Sequence, residues 1–342
     1  MTTVAATYEL EPPEWGQTLA VLESVSLPDG PEHARARVVR AAGRRVTVEF
    51  PALEEDASPE QLLVTIVAGE WADRGDVVSC RLVEVAWPDG LPGPAHGAEP
   101  GIAVGAIIKP ALGLEPAEAA RVAEELAAGG ATLVKDDELM ASPPSSPLLE
   151  RIRHVAAAIP PHVRYAANVT GPPETLLERA EAAVEAGAGA VMVNAFVQGL
   201  GALRALREAQ LGVPIFAHRV GSAFLRRGGP VSVSGRVLAE LTRLLGADYV
   251  QVGSFSARLF DTAEEVREQI AACRESLAGA APATAVIGGG VGPANAADAV
   301  RQAGVEDGLM LLLGSEAYRY PGGPRAGVAA TVATVSPGVG AR

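Results

Sequence analysis

The sequence predicts an α/β protein, a (β/α)8 barrel of the TIM type preceded by a small α+β domain of ferredoxin-like kind, on three observations. Short apolar runs recur through the last two thirds of the chain, each closed by polar residues or glycine and followed by an amphipathic stretch. There are eight such runs, the number a closed parallel barrel needs. Ahead of them, from Trp87 to Gly101, lies WPDGLPGPAHGAEPG, which carries turn chemistry and no apolar period and reads as a linker.

Before the linker, the β-like runs ATYEL, RARVVRA, RRVTVEF and RLVEVAW alternate with the helix-compatible segments WGQTLAVLESV and SPEQLLVTIVAG. Alternation of that kind over residues 1–98 makes an α+β unit of ordinary domain size. After it, VGAIIKP, ATLVKDDE, RYAANV, AVMVNAF, PIFAHR, DYVQVGS, ATAVIGGG and GLMLLLGS are near-continuous apolar runs, as strands buried on both faces require. Between them stand PAEAARVAEELAAGG, PLLERIRHVAAAI, PETLLERAEAAVEAG, GALRALREAQ, VSGRVLAELTRLLG, AEEVREQIAACRESLAG and PANAADAVRQAG, with apolar spacing near the helical period and several closed by glycine. The barrel domain is therefore placed at 99–342. Its tail, ATVATVSPGVGAR, carries no clear signal.

Composition narrows the function. The formal net charge is −13, which excludes a nucleic-acid backbone or an anionic membrane as the main partner, because both need a basic face. Cys80 and Cys273 lie far apart without metal-ligand spacing, and neither a signal peptide nor a run long enough to span a membrane is legible. A soluble cytoplasmic protein acting on a small molecule is expected.

In a barrel of this type the chemistry gathers where strands end. Those ends carry Lys109, then Lys135, Asp136, Asp137 and Glu138, then Asn168, Asn194, His218 with Arg219, Gln251 with Ser254, and the glycines Gly288, Gly289, Gly290 and Gly314. A lone KDDE is usually a solvated charged turn. At a barrel strand end the alternation of side chains sends Lys135 and Asp137 one way and Asp136 the other, and Glu138 turns inward as the strand ends. Two inward carboxylates supply the hard oxygen ligands that Mg²⁺ prefers, with a third oxygen still to be found. Of the five histidines, His33, His96, His154 and His162 fall in loops or helices and read as surface residues, so His218 alone has the position.

The stretches GAIIKPALGL and GGATLVKDDEL resemble two signature segments of the Rubisco large chain and its Rubisco-like relatives, where GTIIKPKLGL and GGLDFVKDDE are typical. The likeness runs from Tyr8 to about Gly327 and implies a Mg²⁺-dependent enolising enzyme. It implies that Lys135 takes up CO₂ as a carbamate and binds the metal together with Asp137 and Glu138. Lys109 then handles the substrate proton, and His218 approaches substrate and metal. Arg219, Asn168, Arg258, Gly289, Gly290 and Gly314 are implied to meet the substrate or its phosphate. The resemblance also implies a homodimer or a dimer-based oligomer, in which the small domain of one chain covers the barrel mouth of its partner.

Departures from the family pattern bear on the activity. Its second lysine stands as Ala111, the threonine before IIKP as Ala106, a second histidine as Ser222, the phosphate-binding histidine of the sixth strand as Gln251 and the mobile-loop lysine as Arg258. Gly69 and Glu70 align with a glycine-asparagine pair that reaches into the neighbouring site. Each polar group lost from a transition-state site costs on the order of 2–4 kcal/mol, so carboxylation of ribulose bisphosphate is not expected, whereas enolisation is. The substrate expected is a monophosphorylated sugar such as a methylthioribulose-phosphate-type ketose, turned over by an isomerase or enolase. The alternatives are a decarboxylase or transcarboxylase of a branched oxo-sugar acid, and a degenerate barrel that binds or regulates without catalysis.

Overall fold

The computed structural model describes residues 3–16, 36–51, 59–67, 76–227 and 229–335. Within the first part lie β1 (Thr3–Glu11), β2 (Arg37–Ala42), β3 (Arg45–Pro51), a helix at Pro59–Val67 and β4 (Ser79–Ala86). These strands pair antiparallel in the spatial order β4-β1-β3-β2, the arrangement of a ferredoxin-like sheet. Burial alternates along β1 and β3, so that Val4, Ala6, Tyr8 and Leu10 share one face with Val46, Val48 and Phe50. Leu62 and Ile66 of the helix are buried in the same core, and Tyr8 Oη donates to the Ile66 carbonyl at 2.7 Å. Most of WGQTLAVLESV, together with Gly69 and Glu70, lies outside the described residues.

One strand of this sheet departs from the sequence expectation. β10 (Val231–Val233) comes from the far side of the linker, after a helix at Ser222–Arg227, and pairs parallel with the edge of β4. Three residues are too few to show a period, so the segment is a strand only because β4 offers it an edge. The barrel half is held to the sheet further by Trp87 Nε1 donating to Glu240 and by Arg81 paired with Glu265.

All eight apolar runs form the closed barrel: β5 (Ile102–Ile107), β6 (Leu133–Lys135), β7 (Arg164–Asn168), β8 (Ala190–Asn194), β9 (Ile215–His218), β11 (Tyr249–Gln251), β12 (Thr284–Gly288) and β13 (Leu309–Leu313), with β13 paired back onto β5. Inside it pack Leu133, Ala166, Met192, Phe216, Tyr249, Val286, Met310 and Leu312. Gly105 of β5 has no room for a larger residue, since a Cβ there would stand 2.8 Å from the Met310 sulfur. The outer strand faces pack on helices at Pro116–Ala128, Leu148–Ala158, Leu176–Glu185, Gly201–Glu208, Gly235–Leu244, Ala263–Arg274 and Ala296–Ala303. The helix at Ala263–Arg274 starts at a capping box in which Thr262 and Glu265 exchange hydrogen bonds.

Linker and barrel are joined by the carboxylate of Asp248, which accepts from the backbone N–H groups of Ala95, His96 and Ile215. The tail, as far as Val335, is helical where its sequence carried no clear signal. A helix spans Gly323–Val335, held by packing of Gly327, Val328 and Thr331 instead of by a periodic apolar face. No described helix is long and apolar enough to cross a membrane.

Candidate functional site

Lys135 is the last residue of β6 and is wholly buried, with its ammonium 5.7 Å from the centroid of the interior Phe216 ring and donating to the Asp136 carbonyl at 2.6 Å. Burial brings its pKa down to about 8, against the pull of Glu138, Asp137 and Asp136. A neutral amine is therefore accessible near physiological pH. Lys109 reaches the same place from the neighbouring strand, because β5 pairs β6 with Ile107 opposite Lys135, and its Nζ forms an ion pair with Asp137 Oδ2. The Lys109 backbone is fixed by Tyr318, whose hydroxyl accepts from Lys109 N and donates to the Ile107 carbonyl.

Glu138 completes the cluster, its Oε2 3.5 Å from His218 Nε2. Burial, with the nearby Lys135, Arg219 and Lys109, holds His218 well below the usual histidine range, so the ring is neutral at pH 7. Its Nδ1 accepts from the Val220 N–H at 3.2 Å, which leaves the N–H on Nε2, facing Glu138.

Asp136 points away from these groups, as strand alternation requires. It lies in a buried network behind them, accepting from Arg151 Nε at 3.1 Å, Arg151 Nη2 at 3.0 Å, the Tyr165 hydroxyl at 2.5 Å and the Asn168 backbone N–H at 2.9 Å. Arg151 also donates to the carbonyls of Met140, Ala141 and Ser146, so one guanidinium shapes the loop that carries Asp137 and Glu138. Asn168 was expected to touch substrate. In the structure its amide donates to the carbonyls of Asp137 and Glu138, and its Oδ1 accepts from Thr170 N. Asn194 adds a donor to the Glu138 carbonyl at 2.9 Å. Tyr318, Arg151 and Tyr165 were not read from the sequence as site residues, and Asn194 was read only as a strand-end residue without a role. All four act on backbone or on buried partners, and only Asn194 carried a positional signal, at the end of β8.

Removing either half of the Asp136–Arg151 pair strands a buried charge. Asp136→Ala or Arg151→Met is expected to lower unfolding free energy by about 3–5 kcal/mol, measured by urea denaturation. A change under about 1 kcal/mol, the range of an exposed pair, would deny the network its structural role.

The remaining expected site residues fall into two further groups. Arg219 follows His218 and pairs with Asp261 at 3.2 Å. Gly289 and Gly290 follow β12 with φ of +86° and +92°, and the Gly289 carbonyl accepts from the hydroxyls of Ser254 and Ser256. Arg258 stands beside this turn and pairs with Glu316 at 2.6 Å, so the structure directs it to a carboxylate near the glycines. Gly314 caps the short helix Ser315–Arg319.

A closed eight-stranded parallel barrel, a ferredoxin-like sheet ahead of it, and two lysines with two carboxylates at adjacent strand ends define a Rubisco-type protein. The family model of the ribulose bisphosphate carboxylase large chain catalytic domain matches residues 95–336, and the chain belongs to that family. An uncharacterised ribulose bisphosphate carboxylase-like protein of Bordetella bronchiseptica is 32% identical, over 92% of this chain and 78% of its own length. A 3-oxo-isoapionate-4-phosphate decarboxylase of Rhizobium rhizogenes is 28% identical, over 90% of this chain and 78% of its own. Among solved structures, the dimeric archaeal Rubisco of Hyperthermus butylicus superposes with a TM-score of 0.81 at 25% identity, covering 97% of this chain and 90% of that one.

Proposed function

We propose that the protein is a Mg²⁺-dependent enolising enzyme, an isomerase or enolase acting on a monophosphorylated sugar, without carboxylase activity toward ribulose bisphosphate. The observation that carries this is the meeting of Lys109, Asp137, Glu138 and the buried Lys135 at the ends of two paired strands. Among the described residues no three His, Cys, Asp or Glu side chains group as a metal site, so a protein triad needs an oxygen from another source. The residues fit such a site. Asp137 already holds a cation through Oδ2, Glu138 stands beside it, and a neutral Lys135 amine can add CO₂, losing a proton and becoming an anionic oxygen donor. A divalent cation held by Asp137, Glu138 and the Lys135 carbamate would act as a Lewis acid on a substrate carbonyl.

The chain's own groups then divide the work. Lys109, once released from Asp137 and with its own proton passed to solvent, takes as the neutral amine the proton from the carbon beside the carbonyl. Neutral His218 donates a hydrogen bond to oxygen, and Arg219 meets an anionic substituent. Gly289, Gly290 and Gly314 offer backbone N–H groups to a phosphate, with Arg258 alongside.

Decarboxylation of a branched oxo-sugar acid is the second reading, supported by the Rhizobium relative that is similar over most of this chain. Loss of CO₂ or of a proton leaves the same electron pair beside the carbonyl. NMR of phosphorylated and unphosphorylated ketoses and oxo-acids, incubated in D₂O with Mg²⁺ and bicarbonate, separates the two. Deuterium entering carbon beside a carbonyl supports the isomerase, and bicarbonate release from an oxo-acid supports the decarboxylase. Neither event across the panel would leave a binding protein.

This reading also includes a homodimer with shared sites. Leu112 and Leu139 stand in the turns after β5 and β6, Val197 in the short helix Ala195–Gln198 after β8 and Phe224 in the helix Ser222–Arg227 after β9, and they are 55%, 64%, 66% and 86% exposed. Apolar side chains left exposed beyond the carboxyl ends of barrel strands suit a surface that another chain covers, and such a cover would exclude water from the reaction. Light scattering is expected to give twice the chain mass; a catalytically competent monomer would refute the shared site.

A further inference from the structure

The carboxylate of Asp261 is wholly buried between two guanidiniums, 3.2 Å from Arg219 Nη2 and 2.5 Å from Arg226 Nη2, and it also accepts from Gln269 at 3.0 Å. Arg219, Arg226 and Asp261 by themselves sum to +1, with Glu265 and Arg227 further out on the Arg226 side. Donors remain in excess, since Arg219 Nη1 and both Nε and Nη1 of Arg226 are buried without a partner. Arg226 is locked from its other side by the Phe260 ring, 4.7 Å from its guanidinium carbon. Of the two guanidiniums Arg219 is the more exposed, its side chain 13% exposed against 3% for Arg226.

We propose that Asp261 is a specificity-determining residue, which caps the charge behind Arg219 so that this end of the site takes a singly charged anionic group, such as a carboxylate, in preference to a dianion. This rests on the reading of Arg219 as a group that meets an anionic substituent of the substrate other than the phosphate at the glycines, as the oxo-sugar acid of the second reading carries. Asp261 itself touches no substrate and acts through the guanidinium it holds. With net +1 behind it, Arg219 can neutralise one negative charge in full, and a second charge on the ligand would be placed in a poorly solvated site without a counter-charge.

Binding of sulfate and of nitrate to the full chain, each titrated by calorimetry at constant ionic strength, tests this without knowledge of the substrate. The wild-type chain is expected to favour nitrate relative to Asp261→Asn, in which sulfate gains over nitrate by about fivefold or more, as one added charge a few ångströms away implies. Arg226→Met removes a cation, keeps an apolar contact for Phe260, and is expected to shift the ratio the opposite way. Either variant decides the matter if the other does not fold. A ratio unchanged in the folded variants, while Arg219→Gln weakens both anions, overturns the role of Asp261 and leaves Arg219 in place. If Arg219→Gln changes neither anion, or the wild-type chain binds neither, the anion-binding role of Arg219 falls and this inference falls with it.

Discussion

Asp137→Asn and Glu138→Gln are each expected to remove Mg²⁺-dependent turnover, by at least the 10²- to 10⁴-fold typical of a lost general base, while the barrel stays folded. An amide is isosteric with a carboxylate but offers a hard cation no charge, and a site with few protein ligands cannot spare one. The structure explains why folding should survive. The Asp137 carboxylate bonds to Lys109 and to the Leu139 N–H, and Lys109 is exposed enough to be solvated once its partner is neutral. Glu138 has a partly exposed side chain whose neighbour is a neutral histidine. The loop itself is held from behind by Arg151, Asn168 and Asn194, none of which bonds to either of these carboxylates. Circular dichroism and thermal melts close to wild type, with loss of turnover, are the expected pair of results. Near-normal activity with unchanged metal dependence in either variant would refute the metal-site reading of KDDE.

The contrast between the carboxylates and their support shows what the sequence makes legible. Barrel strands buried on both faces must be apolar throughout, so all eight announced themselves, and the charged residues that end them stood out against that background. LVKDDE shows its chemistry because strand alternation separates Asp136 from Lys135 and Asp137. Arg151 could not be found that way. It sits in an ordinary amphipathic helix, PLLERIRHVAAAI, where one arginine among polar positions reads as a solvated residue, yet it is wholly buried on Asp136. Sequence period shows which face of a helix is apolar and gives no hint that a cation on that helix meets a carboxylate of a neighbouring strand. The same holds for Arg226 and Asp261, whose pairing joins a short helix to the end of a distant loop. β10 was hidden for another reason, since its three residues become a strand through the partner edge they meet. Gln251 was noticed as a departure from the family, and the structure leaves its Oε1 buried without a partner.

Lys109 and Lys135 stand at the ends of paired strands and are expected to fail in different ways. Lys135→Ala should lose metal binding, with partial rescue by a short exogenous carboxylate that replaces the missing oxygen donor. Lys109→Ala should retain the metal and lose proton transfer. The difference follows from surroundings. Lys135 is sealed beneath the cluster, with burial bringing its pKa to about 8, which favours addition of CO₂ and keeps it from reaching a substrate above. Lys109 has a side chain 30% exposed and paired with Asp137, so it lies on the open side of the carboxylates, where an acidic C–H would be presented. Carbon-13 NMR under labelled CO₂ is expected to show a carbamate resonance in the wild-type chain and in Lys109→Ala, absent from Lys135→Ala. Solvent-deuterium exchange into a substrate then reads the proton step by itself, with Lys109→Ala expected to be slower by about 10² to 10⁴. Exchange at the native rate in Lys109→Ala would remove that residue from the proton step and pass the role of base to His218, whose ring is already neutral, or to the Lys135 carbamate.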